Sequence, residues 1–237
     1  MARTFLLLGS GEFEPWTHDV EASVLRDAVG DGSVAILPTA SATEGDDVFD
    51  RWGRMGLDHF AEARVSAEVL PVKTPADARR EDLVTRAASA SLIYFSGGKP
   101  THLAEVLHAS PLLAGIERAM DRGAVWAGCS AGAMVVSRAR VGGTAGSSWR
   151  FGLGLVPDVA FGVHWDKVRR IPGAAWWMSS RLPEGAWFVG IDERTAIVGD
   201  GERWTVHGLG AVHVRHGAGR ATHAPGSSFE TLAQANR

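Results

Sequence analysis

Cysteine is almost missing from this chain: a single residue, Cys129, in 237. That excludes an internal disulfide framework and fits a reducing compartment. No apolar run reaches the ~18 residues that a membrane-spanning helix needs. An excess of either charge is also lacking. Lys and Arg total 24, Asp and Glu 27, and the formal net charge is −3, so nothing marks the chain for nucleic acid or an anionic membrane. The nine histidines are scattered, and the H-x-x-H of His213 and His216 is too short for the helical metal motif. Neither a metal nor an organic cofactor is expected. The opening MARTFLLLGSGEF has a short apolar run followed by glycines. It reads as a first strand and its loop rather than a signal peptide, and a cytoplasmic protein is expected.

The composition that remains, 45% hydrophobic and 22% charged, is that of a globular domain, and one α/β domain over residues 1–237 is expected. Short, continuously apolar runs alternate with amphipathic stretches. Thr4–Gly9, Ser33–Ala42, Arg64–Val72, Ser91–Gly98 and AVWAGCS read as strands with their loops. Val20–Gly30, Val48–Ala63, Pro75–Ala90 (proline at its start) and Thr101–Gly123 read as helices. Continuous apolar strands separated by helices imply a mostly parallel sheet covered on both faces, a three-layer α/β/α arrangement. Arg140–Trp177 is glycine-rich and weakly periodic, so loops are expected there with a short helix near Asp166–Arg170. From Trp187 onward, short β-like runs punctuated by DG and HG predict antiparallel strands added to one edge of the sheet.

Gly128-Cys129-Ser130-Ala131-Gly132 fits G-x-S-x-G between an apolar strand and the helical run AMVVSRA. That is the context of a nucleophile elbow: small flanking residues permit a tight turn, and the central side chain projects from the carboxyl end of the sheet. Centring on Ser130 puts glycine on both sides, whereas centring on Cys129 puts Ala127 and Ala131 there. The serine is therefore the candidate nucleophile, with Cys129 packed inside. The N–H of Ala131 is placed to stabilise an oxyanion.

A serine hydroxyl needs a base. Candidates downstream are His164, His207, His213, His216 and His223. His164 follows an apolar lead-in that could end at the cleft, while His213 and His216 read as surface strand residues. The carboxylate that orients the base is open among Asp192 and Glu193 in GIDERTAIV and Asp166 two residues after His164. Paired glycines in YFSGGKP, Gly97 and Gly98, end a buried strand and allow a second backbone N–H to approach a carbonyl.

The ordered set LPTASA, YFSGG, GCSAGAM, VHWDKVRR and GIDERTAIV resembles the aspartyl dipeptidase and cyanophycinase family of serine peptidases. The resemblance runs from about Leu37 to Val198, and VHGLGAVHV is similar to the family's last strands. It implies a class I glutamine amidotransferase-like fold, a Ser-His-Glu triad, and cleavage of peptide bonds beside aspartate. On that basis Ser130 is the nucleophile, His164 the base and Glu193 its orienting acid, with the oxyanion bound by the N–H groups of Gly98 and Ala131. Asp166 and Asp192 remain alternative acids. The order Ser…His…Glu differs from that of α/β-hydrolases. Two departures bear on substrate. The Asp-Gln that commonly follows the family's double glycine is here Lys99-Pro100. The cyanophycinase-like His-Phe-x-x-Arg-x-Arg becomes His164-Trp165-Asp166-Lys167-Val168-Arg169-Arg170. Lys99, Arg169 and Arg170 are candidates to receive a substrate carboxylate. The expected partner is a small peptide, with a homodimer left open. The alternative functions are an esterase or acyl transferase using the same serine, or a non-catalytic ligand-binding member of the fold.

Overall fold

The computed structural model describes residues 2–141, 149–174, 182 and 185–232. Five apolar segments become parallel strands: β1 (Thr4–Leu8), β2 (Val34–Leu37), β3 (Ala67–Val69), β4 (Leu92–Phe95) and β5 (Val125–Cys129). They pair in the order β1-β5-β4-β2-β3. Side chains alternate between faces. Phe5, Leu7, Leu37, Phe95 and Trp126 enter one buried cluster, and Leu6, Leu8, Ile36, Tyr94 and Cys129 enter the other. Both faces are covered, which is why these strands show no polar alternation. Helices α1 (His18–Asp27) and α2 (Asp46–Glu62) cover the second cluster, contributing Val20, Val24 and Phe60. Helices α3 (Glu81–Ser89), α4 (Pro100–Leu107) and α5 (Pro111–Arg122) cover the first, with Leu83, Leu103, Leu112 and Ile116. Each fully buried Leu, Ile or Phe contributes roughly 1.5–3 kcal/mol of transfer free energy.

The predicted helix at Thr101–Gly123 is two helices. Proline stands at the first position of each, where its missing N–H costs nothing. Ser110 caps α5 by accepting from the Leu113 N–H at 3.1 Å, and Gly123 at φ +114° ends it. Pro75 does not open α3. A short 3₁₀ turn, Asp77–Arg79, intervenes, held by the Asp77 carboxylate accepting from the Lys73 and Thr74 amides. The helix after the elbow, α6 (Ala131–Met134), is only four residues, far shorter than AMVVSRA implied. The chain leaves it to form β6 (Ala139–Val141), paired with β7 (Trp149–Phe151). The stretch expected as loops therefore also carries β7 and β8 (Val159–Gly162). Its predicted short helix is present as α7 (Trp165–Val168). Residues 142–148 and 175–177 of that stretch lie outside the described residues.

The later strands divide between two sheets, which corrects the expectation of a single edge. β10 (Thr195–Gly199), β11 (Arg203–Gly208) and β14 (Ser228–Glu230) extend the main sheet antiparallel beyond β1. β9 (Trp187–Ile191), β12 (Val212–His216) and β13 (Gly219–His223) join β8 in a second sheet ordered β13-β12-β9-β8. Its inner face, with Phe161, Val189, Ile191 and Val212, packs into the cluster that includes Trp126.

Strand register gathers the loops at one end of the molecule. Leu8 lies opposite Cys129, and Phe95 opposite Gly128, so the loops after β1, β4 and β5 emerge side by side. In the second sheet β8 and β9 run parallel with Gly162 opposite Gly190, so the residues after each strand also emerge together. β10 enters beside β1 with Ala196 opposite Leu8, which brings the β9–β10 connection to the same end. This is the carboxyl end of the parallel strands, where open α/β sheets place their ligands.

Candidate active site

Ser130 has φ +48° and ψ −101°, a conformation that side-chain-bearing residues rarely adopt. The sharp bend is locked by its N–H donating to the Leu8 carbonyl at 3.0 Å. Both flanking glycines are required sterically. A Cβ at position 128 would lie 2.3 Å from the Gly132 carbonyl oxygen, and one at 132 would lie 2.4 Å from the Phe95 carbonyl oxygen. Cys129 is wholly buried on the α1/α2 face, and its thiol is pushed well up by burial and then by the charge of Glu12. It stays protonated and is no nucleophile at neutral pH.

Three side chains predicted from sequence meet at this end of the sheet. His164 Nε2 lies 3.2 Å from Ser130 Oγ, and His164 Nδ1 lies 2.9 Å from Glu193 Oε1. A carboxylate only accepts, so Nδ1 carries the proton and Nε2 presents its lone pair to the serine hydroxyl. His164 itself sits at φ +50°, a left-handed turn between β8 and α7 that aims the ring back at the elbow. Glu193 is held below the usual carboxylate range chiefly by Lys167, with His164 adding to the effect and partial burial opposing it. Lys167 Nζ stands 2.7 Å from Glu193 Oε1.

The two alternative acids have other partners. Asp166 Oδ1 accepts from the Glu193 backbone N–H at 2.9 Å, so it grips the backbone of the residue whose side chain reaches His164. Asp192 points to the opposite side, accepting from the Ala211 N–H and pairing with His213 Nε2, both at 3.2 Å. The other histidines are also engaged elsewhere: His216 stacks on Trp187, His223 packs on Phe229, and His207 lies on β11.

Gly98 has φ +138° and is pressed against Ala40, whose carbonyl carbon would lie 2.5 Å from a Cβ there; Lys99 N–H donates to Ala40 O at 2.7 Å. Neither the Gly98 nor the Ala131 N–H has an acceptor among the described residues. Lys99, Arg169 and Arg170 are exposed, and no contact among the described residues joins them to Ser130, His164 or Glu193. Arg169 instead lines a cavity of about 220 Å3 with Trp165, Phe188, His213, Arg215 and Arg220. Among the described residues, no group of three or more His, Cys, Asp or Glu side chains could hold a metal ion, and no helix is long and apolar enough to cross a membrane.

Sequence reasoning passed over two participants. Lys167, three residues after His164, faces Glu193 from the turn of α7; its spacing was the available signal. Glu12 lies in the loop after β1 and is 6% exposed. An acid just beyond a buried first strand was the hint.

A strained serine elbow at the carboxyl end of a mostly parallel sheet, facing a histidine and a glutamate, defines the architecture of the α/β serine peptidases. Within that class the chain belongs to peptidase family S51, whose family model matches residues 5–206. The cyanophycinases of Synechococcus elongatus and Thermosynechococcus vestitus are each 29% identical over 178 residues, which is 71% of this chain and 53% of theirs. The chain thus spans about half the length of these curated relatives. The crystal structure of a peptidase from an acI-B1 Actinobacterium is 32% identical, covers 97% of both chains and superposes with a TM-score of 0.89. A peptidase E-type protein of Listeria monocytogenes EGD-e shares the fold at a TM-score of 0.61 and 17% identity, over 88% of this chain and 99% of that one.

Proposed function

We propose that this chain is a serine peptidase that hydrolyses small peptides, dipeptides or isopeptides containing aspartate, through an acyl-enzyme. The observation that carries the reading is the continuous relay from Ser130 Oγ to His164 Nε2 at 3.2 Å and from His164 Nδ1 to Glu193 at 2.9 Å. In this reading His164 takes the serine proton as Oγ attacks the substrate carbonyl carbon. Negative charge develops on the carbonyl oxygen, facing the free N–H groups of Gly98 and Ala131. One such donor is typically worth ~10²–10³ in turnover. The C–N bond then breaks, and His164 delivers the proton to the leaving amine. Water, deprotonated by the same imidazole, releases the acid and restores Ser130. Glu193 fixes the tautomer and offsets the transient imidazolium charge.

Membership of peptidase family S51 supports amide hydrolysis over the esterase reading. Aspartate is proposed as the recognised residue because the family resemblance implies it, and because Lys99, next to Gly98, is an exposed cation suited to a carboxylate. The test is a panel of dipeptides varied at the first residue, with α- and β-aspartyl linkages, run beside p-nitrophenyl esters. Aspartyl peptides should turn over with release of free aspartate, and S130A should not. Turnover of the esters alone would favour the acyl-ester reading. Silence on every substrate, with no fluorophosphonate adduct at Ser130, would favour a ligand-binding protein.

A further inference from the structure

Glu12 is a carboxylate sunk 94% into the protein with no cationic partner among the described residues. Burying a polar side chain in this way costs free energy unless its hydrogen-bonding atoms are satisfied. Its two oxygens are spent on two donors. Oε1 accepts from the Gly97 N–H at 2.8 Å, and Oε2 accepts from the Cys129 S–H at 2.8 Å. Gly97 immediately precedes Gly98, whose N–H is one proposed oxyanion donor. Cys129 immediately precedes Ser130. One carboxylate therefore bridges the two backbone segments whose separation sets the distance between nucleophile and oxyanion site.

Space around the bridge is tight. A Cβ at position 97 would stand 3.1 Å from Glu12 Oε1 and 3.6 Å from Ser130 Cβ. The loop that presents Glu12 is anchored on both sides. Gly9 N–H donates to the Thr195 carbonyl at 2.9 Å, and Trp16 Nε1 donates to the Gly11 carbonyl at 2.9 Å. Phe13, at φ +61°, packs its ring 4.8 Å from that of Tyr94. Glu14 pairs with Arg194, next to Glu193 in the chain, at 2.8 Å. Neither Glu12 oxygen contacts Ser130 Oγ or His164, so the residue does not enter the proton relay.

We infer that Glu12 is a positioning residue: by accepting from Gly97 and Cys129 together, it holds the glycine loop after β4 at the distance from the elbow that oxyanion stabilisation requires. This rests on the reading of Ser130 as nucleophile and Gly98 as oxyanion donor. The role demands a side chain of fixed reach that accepts from the Gly97 N–H and also bonds the Cys129 thiol. Glutamine keeps the reach and the acceptor for Gly97, and its amide N–H can donate to the Cys129 sulfur. Aspartate keeps the charge but falls one methylene short of spanning both donors.

The test is the reaction with a fluorophosphonate probe, in which Ser130 Oγ bonds to phosphorus, fluoride leaves, the serine proton passes to His164, and the phosphoryl oxygen occupies the oxyanion site. The maximal inactivation rate and the half-saturating probe concentration are measured for the full chain and for E12A, E12D and E12Q, with melting temperature as a control for folding. E12A and E12D should lose about 10²-fold in maximal rate, the scale of one oxyanion donor, with half-saturation within about threefold of the parent. E12Q should recover to within about tenfold. If E12A does not fold, the contrast between E12D and E12Q decides. Wild-type rates in E12D beside a dead E12Q would make charge, not reach, the requirement and overturn the inference. Equal rates in all variants would overturn it too. A parent chain that forms no adduct at Ser130 would overturn the nucleophile reading itself, a result distinct from either of those, and the inference would fall with it.

Discussion

Lys167 and His164 meet at one atom: both the ammonium, at 2.7 Å, and the imidazole, at 2.9 Å, address Oε1 of Glu193. The lysine is largely exposed and the glutamate partly so. The pair is therefore open to salt screening, and the stability it adds by favouring ionised Glu193 is small. The glutamate's folded value lies below its ordinary one, with Lys167 the largest cause. A depressed carboxylate contributes stability that is fully present above the ordinary glutamate value, about 4.3, and is lost as pH falls through the lower folded value. K167M should return Glu193 toward the ordinary range, so its share of stability should begin to disappear at higher pH. Urea midpoints from pH 3 to 7 read this directly. The parent should exceed K167M near neutrality, and the gap should close in acid. A gap constant down to pH 3 would show that Glu193 is not what Lys167 acts on.

The elbow offers a trade between stability and reactivity. Ser130 at φ +48° carries backbone strain on the order of 1–3 kcal/mol, which a residue without a Cβ does not feel. S130A should retain the parent's cooperative unfolding while losing at least ~10³ in peptide turnover. S130G should be as inactive yet more stable than S130A by about 1 kcal/mol. Differential scanning calorimetry beside a hydrolysis assay separates the two effects. S130G less stable than S130A would mean that the bend is not strained.

Gly132 sits where a methyl group meets the Phe95 carbonyl oxygen at 2.4 Å, a contact with backbone that cannot swing aside. G132A should therefore destabilise the chain by more than about 3 kcal/mol, the scale of a severe core clash. The neighbouring A131G adds no such contact; losing its fully buried methyl and the helix propensity of alanine should cost about 1–2 kcal/mol. Chemical denaturation of both variants checks the contrast.

These clashes explain why the elbow was legible from sequence. G-x-S-x-G gathers the sterically required residues within five positions, Gly128 making room for the turn itself and Gly132 for the Phe95 carbonyl of the neighbouring strand. The parallel strands were equally legible, because burial on both faces leaves continuous apolar runs such as LIYF and VWAGC. The second sheet was not. Its inner-face residues, among them Phe161, Val189 and Val212, come from segments far apart in sequence, and no local pattern says whether β12 joins the main sheet or β9. The choice among carboxylates was hidden for a related reason. Which acid faces His164 depends on β8 and β9 emerging in register, Gly162 opposite Gly190. Without that pairing, Asp166, Asp192 and Glu193 are three acids near a strand end. Glu12 escaped notice because its partners lie far from it in sequence, Gly97 in the loop after β4 and Cys129 at the end of β5.

The three acids should separate experimentally because each holds something different. E193A removes the acceptor of the His164 Nδ1 proton, and turnover should fall on the order of 10³–10⁴-fold with little change in KM, the scale seen when a triad loses its orienting acid. D166A leaves the Glu193 side chain in place but frees its backbone N–H, now held at 2.9 Å. A smaller loss of roughly tenfold should follow, since a misplacement of about 1 Å costs up to 10²-fold. D192N loosens the pairing with His213 and the Ala211 amide, away from Ser130. Its effect should appear as a lowered denaturation midpoint, with turnover per folded molecule within about twofold, because a half-satisfied buried acceptor costs ~1–3 kcal/mol. Steady-state kinetics beside urea denaturation for the three variants distinguishes these outcomes. If D192N were the one that stopped turnover while E193A remained active, His164 would take its orientation from the other side of β9, and the relay built on Glu193 would have to be abandoned.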